Sequence, residues 1–519
     1  MLLPASLKDF IDETHPVHLM NDLVEKLDMS VLERRYGDMG QPAYHPRMML
    51  KVILYGFTVN VFSARKLSRA CQENLAFQYL SGGDRPAFKT FIEFRGRHED
   101  DMREVFLQTV KLAQALGLKK LGNVALDGTK IAADTSKHKA MSHGRMEKEE
   151  KRLKEEIAVL LKRAEETDAQ EDREFGADSD GYSLQEELAY REVRLAKIEE
   201  AKAALEEREK RDHPDISIDS KKQISFADPE ARCFSNPSSG TSYVYNAQAA
   251  VNMETQVIVD NHIEDSTHDA EAAKTTLGNL QQDLGQTPDR LVADSAYANA
   301  TTLEACSDHH VIPVCATREK SGKQSEARKK GETPVSFIYD EKANAFQCPH
   351  GRRFEWDHDS RKGSESVYLE RSASPCPCRV GTSKKGVGVL RIQKKHLAQR
   401  EFQRILSIQE NRELYAQRKV TIEPVFGQIK TGMGFRRWFY RGLKKVGSEW
   451  NVVCAAFNLK KMAALIRAGV FTGPTPRRVV ALARALPVHF WMASGHCRYW
   501  LKRWTTPLMH SIAPLAYCR

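Results

Sequence analysis

Three acids stand out by their settings: Asp127 in NVALDGTKIAADTS, Asp294 in RLVADSAY and Glu423 in KVTIEPVFGQIK. The first two close short apolar, extended runs. The third lies in a long helical pattern, with six residues separating it from Lys430. Carboxylates this far apart in sequence can act together only if the fold gathers them. Hard, negatively charged oxygen donors are what divalent cations require. Two such ions can activate an attacking water or 3′-hydroxyl and stabilise the leaving oxygen of a phosphoryl transfer. Each acid also has a plain structural reading. Asp127-Gly128 could make a turn, and Asp294 before Ser-Ala could cap the following helix. Asp134, Asp219 and Asp228 compete near the first strands, with Asp228 the strongest extra pocket candidate. Asp269, after His268, reads better as an N-cap than as a ligand.

The changing hydrophobic period describes the elements that must position these acids. Residues 1–118 read as a helical domain with basic residues on polar faces, suited to DNA binding or to ordinary packing. Residues 119–144 and 213–320 read as the first part of a core. It starts with a strand up to Asp127, an Asp-Gly turn and a second short run. A β-hairpin follows over SYVYNAQAAVNMETQVIVDNHIED, turning near Met253–Thr255, then the helix AEAAKTTLGNLQQDLG. A strand ending at Asp294, a helix from about Ala300 and the strand VIPVCAT complete it. Between the two parts, residues 145–212 are rich in Glu, Lys, Arg, Leu and Ala at helical spacing and break at FGADSDGYS. They predict an antiparallel helical hairpin serving as a solvated arm or dimerisation element. Residues 321–398 read as an irregular, basic, Cys-containing insertion. Residues 399–465 carry Glu423 on the core's C-terminal helix, closed by Gly432 and Gly434, and 466–519 form a basic tail. This order of strands, hairpin and helices is that of an RNase H-like fold. The expected class is therefore α/β: an RNase H-like mixed sheet flanked by helices, with an N-terminal helical domain and an inserted antiparallel helical hairpin.

Charge narrows the partners. The 519 residues hold 79 Lys and Arg against 69 Asp and Glu, a formal charge of +10. From Thr431 to Arg519 there are fifteen Lys and Arg and one acid, Glu449, so the remainder is slightly acidic. Concentrated basic charge is the footprint of a polyanion, because each phosphate contact releases counterions. A solubilising surface or a membrane-facing tail would share that charge. The opening MLLPASLKDFIDETHP lacks signal-peptide features, and no apolar stretch reaches the roughly 18 residues of a membrane span. Ten scattered cysteines fit a reducing interior, so a cytoplasmic, nucleoid-associated protein without a membrane partner is expected. Trp438, Phe439 and Tyr440 lie among Arg436, Arg437 and Arg441, an arrangement suited to stacking on unpaired bases or to core packing of at least one ring. Cys348, His350, Cys376 and Cys378 could supply four zinc ligands, but the Cys-x-Cys spacing weighs against structural zinc.

Three stretches together resemble the bacterial insertion-sequence transposases of the DDE type: VALDGTKIAADTSKHKAMSHGRM, LVADSAYANATTLEAC and RKVTIEPVFGQIKTGMGFRRWFYRGLKKVGSEWNVVCAAFNLKKM. HPRMMLKVILYGF and the later FRGRH are similar to the N-terminal domain of one branch of that family, so the resemblance spans most of 40–320 and 400–465. It implies that Asp127, Asp294 and Glu423 are catalytic and hold two Mg²⁺ (or Mn²⁺) ions. In the family the third acid sits in a Tyr–Arg–Glu–Lys signature, which is partly retained. Glu423 and Lys430 keep their separation, Lys419 stands at the Arg position with Arg418 beside it, and Tyr415 is one residue out of register. Lys430, Lys419, Arg418, Arg436, Arg437 and Arg441 are the implied DNA contacts. The implied partners are double-stranded DNA, as terminal inverted repeats and target, and a second copy of the chain in a synaptic complex. A purely hydrolytic nuclease of the same fold, or an inactive DNA-binding derivative, would carry the same acids. The basic helix around Lys430 and the helical N-terminal domain favour cleavage with strand transfer.

Overall fold

The computed structural model describes residues 6–36, 43–118, 120–135, 140–174, 182–212, 217–236, 240–317, 337–340, 343–348, 350–360, 365–370, 381–382 and 388–471. Seven helices come first: α1 (Pro16–Val24), α2 (Ser30–Glu33), α3 (Pro46–Thr58), α4 (Ala64–Glu73), α5 (Leu75–Ser81), α6 (Phe88–Arg97) and α7 (Met102–Leu116). Their ends follow capping chemistry. His15 and His45 each accept a backbone N–H ahead of a proline at the first helical position, and Ser63 and Asn74 cap α4 and α5. Helix α3 is buried along its whole length, the sign of a central element.

The main sheet has six strands: β1 (Asn123–Ala132), β4 (Arg232–Asn236), β5 (Gly240–Asn252), β6 (Ile258–Glu264), β7 (Arg290–Ala293) and β8 (Ile312–Cys315). Two short strands, β2 (Ala140–Ser142) and β3 (Gln223–Ser225), pair separately. In the main sheet β1 is central. It pairs antiparallel with β5, Asp127 opposite Ala249, and parallel with β7, Leu126 opposite Ala293. Strand β8 extends the parallel side, and β4 and β6 both pair with β5. The expected β-hairpin of β5 and β6 is present. The expected turn at Asp127-Gly128 is not, because β1 continues to Ala132 with Gly128 paired to Gln248. Ending the strand there would leave backbone groups of buried β5 without partners.

Helices α8 (His143–Glu174) and α9 (Tyr182–Asp212) lie between β2 and β3 in the chain. They share an apolar seam of Met146, Leu153, Ile198, Ala201 and Leu205. Ion pairs run along it in opposite order on the two helices: Glu150 with Lys202, Lys154 with Glu199, and Glu156 with Arg191. After α10 (Ala272–Leu284) and α11 (Ala300–Asp308), the segment read as irregular instead contains a six-stranded antiparallel sheet. Its strands are β9 (Ile338–Asp340), β10 (Ala345–Gln347), β11 (Arg353–Asp359), β12 (Glu365–Glu370), β13 (Gly381–Thr382) and β14 (Gly388–Gln393), around Phe346, Phe354, Tyr368, Leu390 and Ile392. Among β10, β11, β12 and β14 each strand contributes only one or two residues to this cluster, too short a run to announce itself by alternation.

Three helices close the described chain: α12 (Lys394–Ser407), α13 (Gln409–Gly427) and α14 (Leu443–Arg467). Helix α13 packs against β1, β7 and β8, while α14 packs against β6, α3 and α7 and joins the N-terminal helices to the sheet. Arg103 on α7 reinforces that junction through Asp260 and Asp283 at 2.6 Å each. Among the described residues no helix is long and apolar enough to cross a membrane. On α14, buried Asn458 accepts the Ile258 N–H at 2.8 Å, and donates to the Ile258 carbonyl at 2.8 Å and to Thr109 Oγ1 at 3.2 Å. Asn458→Ala strands both backbone groups of Ile258, so a loss of about 2–4 kcal/mol is expected from urea unfolding. An unchanged midpoint would show that the staple contributes nothing.

Candidate active site

The register of β1 and β7 determines where the first two acids lie. Leu126 opposite Ala293 is the last parallel pair, so Asp127 and Asp294 follow it side by side at the edge of the sheet. Asp294 Oδ1 accepts the Ala296 N–H at 2.7 Å, which shapes the loop, while Asn299 caps α11. The helix-cap reading of Asp294 is thus replaced by a loop turn. Asp127 Oδ1 accepts the Gly128 N–H at 2.8 Å, and its Oδ2 meets Arg418 Nη1 at 3.2 Å. Burial pushes the Asp127 carboxyl up to about 6; the Gly128 N–H and Arg418 oppose the rise, and Asp294 and Asp269 add to it.

Asp269 is a site residue that the sequence reading placed elsewhere. It does not cap α10, whose flanking residue is Glu271. Its Oδ1 instead receives Lys130 Nζ at 3.0 Å, Asn246 Nδ2 at 2.8 Å and Gln248 Nε2 at 2.7 Å. Tyr297 donates to the other end of the Gln248 amide at 2.6 Å. Gly128 lies under this cluster, where a Cβ would collide with the Gln248 amide and stand 2.8 Å from Asp269 Oδ1. The available signal was the pair Asn246 and Gln248, two polar residues two positions apart within the buried stretch of β5.

Helix α13 brings the basic partner. Of Arg418 and Lys419, it is Arg418 that is buried and turned to Asp127, with its guanidinium also 5.9 Å from the Tyr415 ring centre; Lys419 is exposed. The Glu423 side chain is exposed and makes no hydrogen bond or ion pair with a described residue, so Asp127 and Asp294 lie together at the sheet edge, Asp269 adds only its charge, and Glu423 is left in solvent. Pro424 inside α13 cannot donate to the Val420 carbonyl; Gln256, in the β5–β6 turn, donates to that carbonyl at 3.3 Å and to Thr421 O at 3.2 Å. The helix then widens into a π-helical turn over Gln428–Gly432. Within it, half-buried Lys430 reaches the Lys130 carbonyl at 3.5 Å, and burial with the charge of Lys130 lowers its pKa.

Two carboxylates side by side, one disfavoured as an anion until positive charge joins it, fit a hard divalent cation in donor chemistry. As placed, no three His, Cys, Asp or Glu side chains among the described residues stand together as a ligand set. Residues 5–97 match the family described as Transposase domain (DUF772), and residues 212–459 match Transposase DDE domain. The chain belongs to the DDE-type insertion-sequence transposases. Enzymes of this kind cleave DNA and transfer its strands. No curated protein matches the chain. A solved structure described as a cryo-EM structure of the piggyBac transposase synaptic complex with hairpin DNA aligns over 98% of this chain and 87% of that one. Its identity is 8% and its TM-score 0.29, too distant to carry an argument.

In this transposase the basic-aromatic segment after α13 is partly core. Trp438 is fully buried among Tyr245, Phe435 and Trp450, whereas Phe439 is 46% exposed. Arg437 and Arg441 both pair with Asp134, at 2.6 and 2.9 Å, and Arg436 bonds the Lys430 carbonyl at 3.0 Å. Asp228 is absorbed structurally, accepting from Tyr245 OH at 2.6 Å and from Gly442 N at 3.3 Å. Asp219 shapes a turn through the Lys221 N–H. Cys348 is buried in the second sheet with its sulfur accepting from Arg352 N at 3.3 Å, His350 is exposed, and Cys376 and Cys378 lie outside the described residues.

Glu449 on α14 anchors the basic segment by accepting the N–H groups of Phe439 and Tyr440 at 3.1 and 3.3 Å, while its buried Oε1 has no partner among the described residues. Burial raises this carboxyl from 4.5 to about 7. The folded chain therefore binds the proton more tightly than the unfolded one. The penalty is absent below about pH 4.5 and complete above about pH 7. Glu449→Gln keeps an acceptor for both N–H groups and carries no charge. It is expected to gain on the order of 2 kcal/mol over wild type at pH 8 and nothing at pH 4, measured by urea unfolding. Parallel pH profiles would rule out a strained carboxylate at 449.

Proposed function

We propose that this transposase carries out Mg²⁺-dependent strand cleavage and strand transfer by two-metal phosphoryl transfer on an RNase H-like core. In this reading Asp127, Asp294 and Glu423 are the catalytic acids that would hold the two Mg²⁺ (or Mn²⁺) ions. The observation that carries the reading is the placement of Asp127 and Asp294 at adjacent strand ends, with Asp127 partly buried and raised towards neutrality. When bound, the ions supply Lewis-acid stabilisation of the charge that builds on the transferred phosphoryl group. Arg418 orients Asp127 and keeps part of its charge balanced before DNA arrives. Lys430, Lys419, Arg436, Arg437 and Arg441 position the strand backbone from the protein surface, and exposed Phe439 is suited to stacking on an unpaired base. Because Arg418 is buried against Asp127, it serves the acid and not the phosphate.

The helices at residues 1–118 would bind the terminal repeats, and the core would occupy 119–144, 213–320 and 399–465. The charged helical hairpin at 145–212 is an arm, and two copies of the chain would hold the two element ends in a cytoplasmic, nucleoid-associated complex. Full-length protein is to be given Mg²⁺ or Mn²⁺ and a duplex bearing the element's terminal inverted repeats. Free 3′-hydroxyl ends that become joined to target DNA are expected, and each of Asp127→Ala, Asp294→Ala and Glu423→Ala should lower both steps at least about 10³-fold while retaining end binding. Nicking without joining would replace the proposal with a nuclease. Full activity in Glu423→Ala would remove that residue from the set.

A further inference from the structure

The far end of β1 carries an arrangement that the acids do not use. Lys130 lies three residues beyond Asp127 on the same strand, about 10 Å along it, which is about three nucleotides of axial rise. Its ammonium is held at 3.0 and 3.2 Å by the two oxygens of Asp269. Asn246 and Gln248 also donate to Asp269, at 2.8 and 2.7 Å, so its position does not depend on the lysine. Lys430 comes in from the π-helical turn to the Lys130 carbonyl, and Arg436 binds the Lys430 carbonyl at 3.0 Å. Two lysines therefore meet at this end of the strand, one by its ammonium on Asp269 and the other by its ammonium on the first one's carbonyl. Burial first, and the charge of Lys130 second, depress the half-buried Lys430 ammonium, and an anion joining the two lysines would relieve both.

We infer that Lys130 and Lys430 together bind one backbone phosphate of the DNA strand entering the active site, with Asp269 as the positioning residue that presents Lys130. The inference rests on the proposed action on DNA and adds a contact and its anchor. Gly128 is part of the same device, because a side chain there would displace the Asp269 cluster. Lys130 keeps its carboxylate contact in the free protein and turns to phosphate when DNA arrives, while Asp269 retains its two amide donors.

The test uses full-length protein and an end-bearing duplex in EDTA, so no catalytic step intervenes. Binding is measured by fluorescence anisotropy over a salt series, and phosphate contacts are mapped by ethylation interference. Lys130→Gln is expected to reduce the slope of log affinity against log salt by about 0.9 and to remove interference at one phosphate; Lys130→Arg should restore both. Asp269→Asn should keep the wild-type slope but weaken interference at that same phosphate, a pattern that general loss of structure would not produce. Wild-type slope and interference in Lys130→Gln would overturn this inference alone. Absence of salt-dependent duplex binding by the wild type would overturn the DNA reading along with it. If Lys130→Gln fails to fold, loss of the slope or of that contact in Lys130→Met, with Lys130→Arg at wild type, supports the site; an unchanged pattern overturns it.

Discussion

The pairing of β1 controls where every other part of the site can be. Its antiparallel neighbour β5 and parallel neighbour β7 hold it in one register, and a slip of one residue would turn Asp127 to the opposite face. Because β7 stops at Ala293, β1 loses its parallel neighbour just where Asp127 appears. Helix α13 occupies the space beside that gap, and Arg418 is the side chain that reaches the acid. On the residues facing the other way, Gly128 and Lys130, the same strand supports Asp269. One strand thus carries the acid on one face and, three residues further on, the lysine on the other.

Much of this was legible from local pattern, and the exceptions share a cause. RLVA before Asp294, the β5–β6 hairpin and the helices of the N-terminal region each follow from periodicity and capping. Asp127-Gly128 looks like a turn because most Asp-Gly pairs are turns. Here the glycine is needed for packing against side chains more than a hundred residues away. Asp269 was out of reach for the same reason, since its ammonium partner is 139 residues distant. The choice between Arg418 and Lys419 depended on which face of α13 meets β1, a matter of tertiary packing that helical spacing leaves open. The β-sheet at 338–393 was hidden by strands too short to display a period.

Partly or fully buried carboxylates recur around this centre, and each is incompletely compensated. Asp127 has one arginine and one backbone donor; Asp228 and Glu449 rely on a tyrosine or on backbone N–H groups, and all three are raised. The last two hold the basic segment in place from behind, so its arginines face outward while Trp438 fills the core. Such strain at a site is ordinary where function asks for charge that packing alone would reject. Glu449 and Asp228 grip this segment by its backbone, while Asp134 holds the guanidinium groups of Arg437 and Arg441.

The π-helical turn over Gln428–Gly432 has a consequence for indexing. Side chains on a regular helix advance about 100° per residue, so the direction of Lys430 relative to Glu423 is set by how many residues the intervening turn consumes. A widened turn takes up one residue without lengthening the helix in proportion, and works as a vernier between the acid and the lysine. Losing a single residue there would leave both groups present and the helix intact, yet rotate the ammonium by roughly a quarter of a revolution or more. Angular phase, as much as residue identity, is therefore a heritable quantity in this part of the chain.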